Sequence, residues 1–375
     1  MDQVNVLIIG GGVVGCAIAE VLSRRWPDVF LVEKNPKFGM ATSTRNSGVI
    51  HSGIYYPTNS LKARLCVEGN QLTKEFCAKY NVPHRTSGKL VVAKAKEQEA
   101  ALLALKKKGE DNGVEGLRIL DASGIRAKEP HVRGSAALDV PSTGICSSED
   151  LVHAFARVAE NQGANLLGHA KVEALEPRDG LLRVGLRIGD EESSEQESVE
   201  ARCVINAAGL YADEVAQLVG LRNWKIYPVR GEYCEIRGPQ AGLVRNLVYP
   251  LPHKDGLSLG LHFTKTLWGT LLLGPTAKYV DGKENYERGR MTVSEFAADV
   301  KTMVPEIEEG DLQLAYSGLR PKLVPPGGSG IADFVIEPDS EVPQVIQLVG
   351  IESPGLTAAP AIARHVAGLV APILL

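Results

Sequence analysis

The sequence has no C-x-x-C pair, no basic block and no long apolar run, and each absence removes a class of function. Its six cysteines, at 16, 66, 77, 146, 203 and 234, are scattered without metal-ligand spacing. They read as reduced, buried thiols, with no metal site and no disulfide framework expected. Lys and Arg number 41 against 45 Asp and Glu, a net charge of −4 with both signs spread along the chain, so no nucleic-acid partner is expected. No run approaches the roughly 18 apolar residues of a membrane span, so no transmembrane helix is expected. The C-terminal "HVAGLVAPILL" reads as the end of a core helix. The opening "MDQVNVLIIGGG" enters a strand directly, without a basic leader, which predicts a cytoplasmic chain. Neither H-E-x-x-H nor a Walker pattern occurs, so the motif-borne zinc-protease and P-loop chemistries are set aside. Repeats and low-complexity tracts are also missing.

What is present begins at the N-terminus. "VNVLIIG" (4–10) is a continuous apolar run of the kind a central parallel strand needs. "VVGCAIAEVLSRRW" (13–26) carries apolar residues at helical spacing, and "VFLVEK" (29–34) is a second buried strand, completing one β-α-β unit. Gly10-x-Gly12-x-x-Gly15 falls between strand and helix, where a dinucleotide fingerprint has a mechanism. Gly10 permits the tight turn, Gly12 admits the pyrophosphate to the backbone, and Gly15 allows close helix–strand packing. The helix N-terminus then supplies free N–H groups. Glu33 ends the second strand, where its carboxylate can accept from a ribose hydroxyl and would repel a 2′-phosphate. The fingerprint alone leaves NAD and FAD open. Two further turns lean towards FAD: "VINAAG", closing at Ala208 and Gly209, and "GIESPGLTAAPAI" (350–362), whose helix start can face an electron-rich ring edge. A second G-x-G-x-x-G is missing mid-chain, which argues against a separate NAD(P)H site.

The rest of the chain predicts helices over 57–80, 96–112, 149–162 and 292–303, with a final helix from about 355. Short strand-like pieces fill 85–140. The charged run "GDEESSEQESVEAR" (189–202) reads as a solvated hairpin loop between strands, and 225–281 alternates like an antiparallel sheet. The expected fold class is α/β (α+β overall). A dinucleotide domain from 1–84, 145–220 and 317–375 is interrupted by a substrate domain from 85–144 and 221–316.

Several segments together resemble one family: the fingerprint, "NSGVIHSGIYY" (46–56) with "SLKARLC" after it, "VINAAGLYAD", "PVRGEY", "GLHFT" and "SGLRPKL". They are similar to the D-amino-acid-oxidase-like (DAO) flavoprotein superfamily, and within it to the L-2-hydroxyglutarate dehydrogenase/oxidase branch. The resemblance implies a Rossmann-like FAD-binding domain of the DAO/glutathione-reductase type and a substrate domain on a large mixed or antiparallel sheet. FAD is then the cofactor, and an L-2-hydroxy acid is oxidised by hydride transfer to flavin N5. Other branches act on glycerol 3-phosphate or on amines such as glycine and sarcosine, and a flavin-binding subunit without turnover is a third reading. The electron acceptor (oxygen, quinone or a carrier protein) stays open, as do a covalent histidyl–flavin bond and peripheral contact with the inner face of the cell membrane.

Such an oxidation needs a base and cations. Of eight histidines, His51, between Gly48 and Gly53, is the leading base candidate, and His262 in "SLGLHFT" is the second. Arg320 is the expected carboxylate clamp. Lys322, Arg230 and Lys254 are candidate second cations, and Tyr55 or Tyr56 a hydroxyl donor. Further candidate cofactor contacts are Lys34, Thr42, Ser43, Asn46, Ser47, Gly48 and Val172, with Gly355, Leu356 and Thr357 at the last helix start.

Overall fold

The computed structural model describes residues 3–190, 193–221, 223–252 and 259–375; the candidate cation Lys254 lies outside them. The apolar run at the N-terminus forms the strand Gln3–Ile9. It pairs in parallel with Val29–Val32 on one side and Glu195–Asn206 on the other, and Val345–Val349 joins the latter. Strands covered on both faces need apolar residues at every position. Accordingly Val6 and Ile8 pack with the helices Val13–Ser23, Ser148–Asn161 and Gly355–Leu374, while Leu7 and Ile9 join a separate cluster with Val172, Leu175 and Val184.

The second sheet has nine strands among the described residues. It is mixed: Leu247–Pro250 runs parallel to Lys89–Ala93, and the other pairs are antiparallel. Its longest pairing joins Tyr227–Ile236 to Leu312–Lys322. That second strand runs through the domain boundary expected at 317, and it sets Arg320 on a sheet, opposite Val229. A small third sheet links Val49–Ile50, Gly144–Cys146 and His84–Thr86, just before His51.

Two expectations shift at this level. The helix expected over 57–80 begins at Leu61, because the Ser60 hydroxyl caps it by accepting from Ala63 N–H, and it ends at Asn81 in the left-handed conformation. The charged run 189–202 is strand from Glu195 onward, pairing with Leu181–Ile188. Of its described acidic residues, Asp190, Glu195 and Glu197 are exposed, and Glu200 stands between Gln3 and Arg183 of the neighbouring strands. The final helix, Gly355–Leu374, is apolar enough to meet the length and composition of a membrane span although no single run in it is uninterrupted. It is half buried against Val13–Ser23 and Leu61–Tyr80, which is the packing of a core helix.

Candidate active site

One cavity of about 1040 Å³ runs from the glycine fingerprint to the face of the second sheet. At its first end the wall is largely backbone. Gly10 has φ +108°, and a Cβ there would stand 2.6 Å from the Ala207 carbonyl oxygen. A Cβ on Gly15 would meet the Gly10 carbonyl at 1.9 Å, so the helix lies directly on the turn. Gly12 caps the helix without a side-chain bond and the first turn holds no acid, leaving the positive end open to an anion. Ser43 steadies this end by accepting from Val13 N–H at 2.9 Å. Beyond it, Glu33 accepts from Gly11 N–H at 2.7 Å and from Asn35 N–H at 2.8 Å, with lone pairs still available for a ribose. A glycine-lined channel with an open helix end and a carboxylate past it fits a dinucleotide.

Of the expected cofactor contacts, Lys34, Thr42, Asn46, Ser47 and Val172 also line the cavity, as do Ala208, Gly209, Gly355 and Leu356. Gly15, Gly48 and Thr357 are not on its wall. Gly48, at φ +66°, lies against the Cys146 carbonyl. The Thr357 hydroxyl accepts from His51 N–H at 2.9 Å and donates to the Val49 carbonyl at 3.2 Å. Thr357 thus fixes the backbone that carries His51.

At the other end the wall is made of side chains. His51, His262, Tyr55, Tyr56, Arg320 and Lys322 all reach it. His262 lies flat against the Tyr249 ring, centroids 3.6 Å apart at 18°. Its Nδ1 is 2.8 Å from the Gly260 carbonyl, so Nδ1 carries the proton and Nε2 the lone pair. The His51 Nε2 is 3.3 Å from the Ser353 hydroxyl. Burial drives the pKa of each histidine down to about 3, with the Lys89 ammonium adding to the effect on both. Both rings are therefore neutral at pH 7.

Lys62 and Glu352, absent from the sequence-based candidates, belong to the same wall. Both lysines, Lys62 and Lys322, reach one Glu352 oxygen, at 2.9 and 3.2 Å. Burial opposes ionisation of Glu352, yet the two ammonium groups hold its carboxyl below the usual range. Lys62 had a signal: in "SLKARLC" it faces the buried side of a helix, and a lysine there needs a partner.

Arg230 does not reach the cavity, against expectation. Its guanidinium is fully buried, bonded to Glu232 at 2.8 Å and to the Arg288 and Gly289 carbonyls at 2.8 Å each. Glu232 lies two residues along the same strand, hence on the same face, and neutralises it. The segment this pair anchors carries Glu284 and Tyr286 to the cavity mouth, where Lys34 stands 3.5 Å from Glu284 and Arg45 lies 4.4 Å above the Tyr286 ring.

Comparison with known proteins decides the family. The model of the FAD dependent oxidoreductase (DAO) family matches residues 5–369. The chain belongs to this family. As a DAO-family enzyme it uses FAD and is an oxidoreductase. It is 34% identical to the mitochondrial L-2-hydroxyglutarate dehydrogenase of Arabidopsis thaliana, over 98% of this chain and 83% of that protein. It is 32% identical to the L-2-hydroxyglutarate dehydrogenase of Indibacter alkaliphilus, over 94% of this chain and 95% of that protein. Among solved structures it is similar to the reduced, FAD-bound L-alpha-glycerophosphate oxidase of Mycoplasma pneumoniae. That match has a TM-score of 0.87 at 28% identity, over 99% of this chain and 95% of that one.

Proposed function

We propose that this DAO-family enzyme oxidises an L-2-hydroxy acid, L-2-hydroxyglutarate, to its 2-oxo acid. The observation that carries the reading is the convergence of two neutral histidines, His262 buried and His51 half-buried, and Arg320 on one end of a dinucleotide cavity. FAD, when bound, accepts the hydride. Gly10, Gly12, Glu33 and the start of the last helix would hold it, and segments 1–84, 145–220 and 317–375 would form its domain. Arg320 grips the carboxylate beside the reacting hydroxyl, a task suited to a planar guanidinium. Lys322, shared with Lys62 through Glu352, adds positive charge at the same end.

Between the two histidines, His262 is the better-set base. The Gly260 carbonyl holds its Nδ1 proton, and Tyr249 fixes the ring plane, so Nε2 is free to take the hydroxyl proton. His51 has its backbone pinned by Thr357 and Asn70 and lines the same space. Anaerobic mixing with L-2-hydroxyglutarate tests the reading: the flavin absorbance bleaches, and an unchanged spectrum sinks it. The likeness to the glycerophosphate oxidase favours glycerol 3-phosphate as the second substrate to try. Bleaching by that compound alone would replace the first reading.

A further inference from the structure

One buried charge near the site has no assigned task. Lys89 opens the strand Lys89–Ala93 and is 2% exposed. Its ammonium lies 4.4 Å from the ring centroid of Tyr55 and 4.8 Å from that of Tyr249. Among the described residues it has no hydrogen-bond partner. The Tyr55 hydroxyl and His51 Nδ1 are likewise buried without partners. Tyr55, Tyr249 and His51 are cavity wall; Lys89 itself is not, and stands against the Tyr55 and Tyr249 rings.

An unpaired ammonium in the interior is costly, and two aromatic faces offset only part of that cost. Every other buried Lys or Arg among the described residues has its counter-charge: Arg230 has Glu232, and Lys62 and Lys322 have Glu352. Lys89 alone among these waits for one. We propose that Lys89 is the counter-charge for the distal carboxylate of the substrate, a positioning residue that acts through Tyr55 and Tyr249 to select a dicarboxylate over a monocarboxylate. A cation over the Tyr55 ring withdraws electron density and makes the phenol a stronger donor, and its free hydroxyl is the group that meets the carboxylate. Burial draws the Lys89 pKa down to about 7. An arriving anion favours the charged form and reverses that drift.

This assignment rests on the dicarboxylate reading above, and one experiment separates the two. Glutarate, which lacks the hydroxyl and is not oxidised, and butyrate are titrated into the wild-type, K89M, K89Q and K89R holoenzymes. The flavin difference spectrum and the melting temperature are the readouts. K89M and K89Q are expected to melt no lower than wild type without ligand, because each loses an uncompensated charge. Their glutarate dissociation constants should rise about ten-fold or more, with butyrate unchanged and K89R recovering part of the loss. Melting several degrees lower in both neutral variants, or failure of both to fold, overturns the proposal, since the ammonium is then structural. So does glutarate binding within about two-fold of wild type, or equal weakening of both acids. If wild type responds to neither glutarate nor L-2-hydroxyglutarate, the dicarboxylate reading fails and takes this proposal with it.

Discussion

At the dinucleotide end, the cavity is shaped by a turn that only glycine fits, an open helix start and one carboxylate held by backbone N–H groups. At the substrate end, buried charged and aromatic side chains arrive from distant segments: Lys62 from a helix, Arg320 and His262 from two strands, and His51 and Glu352 from loops. The first kind of site is local in sequence, since strand, glycine turn, helix start and carboxylate all fall between Gln3 and Glu33, even though Gly10 packs against the distant Ala207 carbonyl. The second is global, since a lysine is a binding group or a structural ion depending on which carboxylate the fold brings to it. The two ends should therefore fail differently when broken.

The largest effect comes from breaking one end at a time. Gly10→Ala places a Cβ 2.6 Å from a carbonyl oxygen at a φ that L residues avoid, and the purified protein should carry little FAD by absorbance. His262→Ala should keep its FAD yet be reduced by L-2-hydroxyglutarate about 10²–10⁴-fold more slowly in stopped flow, the usual worth of a general base. His51→Ala should cost less. A larger loss from His51 would exchange the roles of the two rings, and reduction of His262→Ala at the wild-type rate would remove it from the chemistry.

Arg230 sharpens the same contrast from the structural side. Leaving Glu232 buried and unpaired in Arg230→Met should lower stability by about 3–5 kcal/mol in urea unfolding of the holoenzyme. A loss below about 1 kcal/mol would mean the pair contributes little beyond an apolar contact.

Arg230 and Arg320 also mark how far the sequence could be read. Both sit in strand segments within two residues of a glycine, and both suit a carboxylate clamp. What separates them is Glu232, two positions along, which faces Arg230 in the folded sheet and removes it from the cavity. The R-x-E spacing was visible in "PVRGEY"; its meaning required knowing that the segment is a strand. The fingerprint and Glu33 needed no such knowledge, because strand, turn and helix follow one another within the first β-α-β unit. Glu352 and Lys89 were hidden for the opposite reason: the groups they meet come from distant segments, and even Lys62, whose helix position called for a partner, gave no sign that the partner was Glu352.

The pH dependence of stability carries the mark of the substrate end through its two histidines. His51 and His262 sit at about 3 in the folded protein against about 6.5 unfolded. Between those values the unfolded chain holds more protons, so stability falls as pH drops from about 6.5 towards 3. Each ring contributes up to about 1.4 kcal/mol per pH unit in that window. His262→Gln should flatten the slope by one proton's worth in denaturation at pH 6 and 5. An unchanged slope would mean that His262 titrates normally in the folded state.

The smallest effect belongs to the strap over the cofactor end. Glu284 pairs with Lys34 at 3.5 Å and accepts from the Tyr211 hydroxyl, while the Lys34 ammonium stands over the Tyr211 ring. Glu284 is 68% exposed, so solvent screens the pair and its worth is about 0.2–1 kcal/mol. Glu284→Gln should speed FAD loss on dilution about two- to five-fold, with the effect shrinking in wild type at high salt as the ion pair is screened. The reduction rate of the FAD-loaded variant should stay at the wild-type value, because Glu284 pairs with Lys34 and Tyr211 and with neither histidine. A parallel fall in that rate would show that the two ends are mechanically coupled and that the division between them is too sharp.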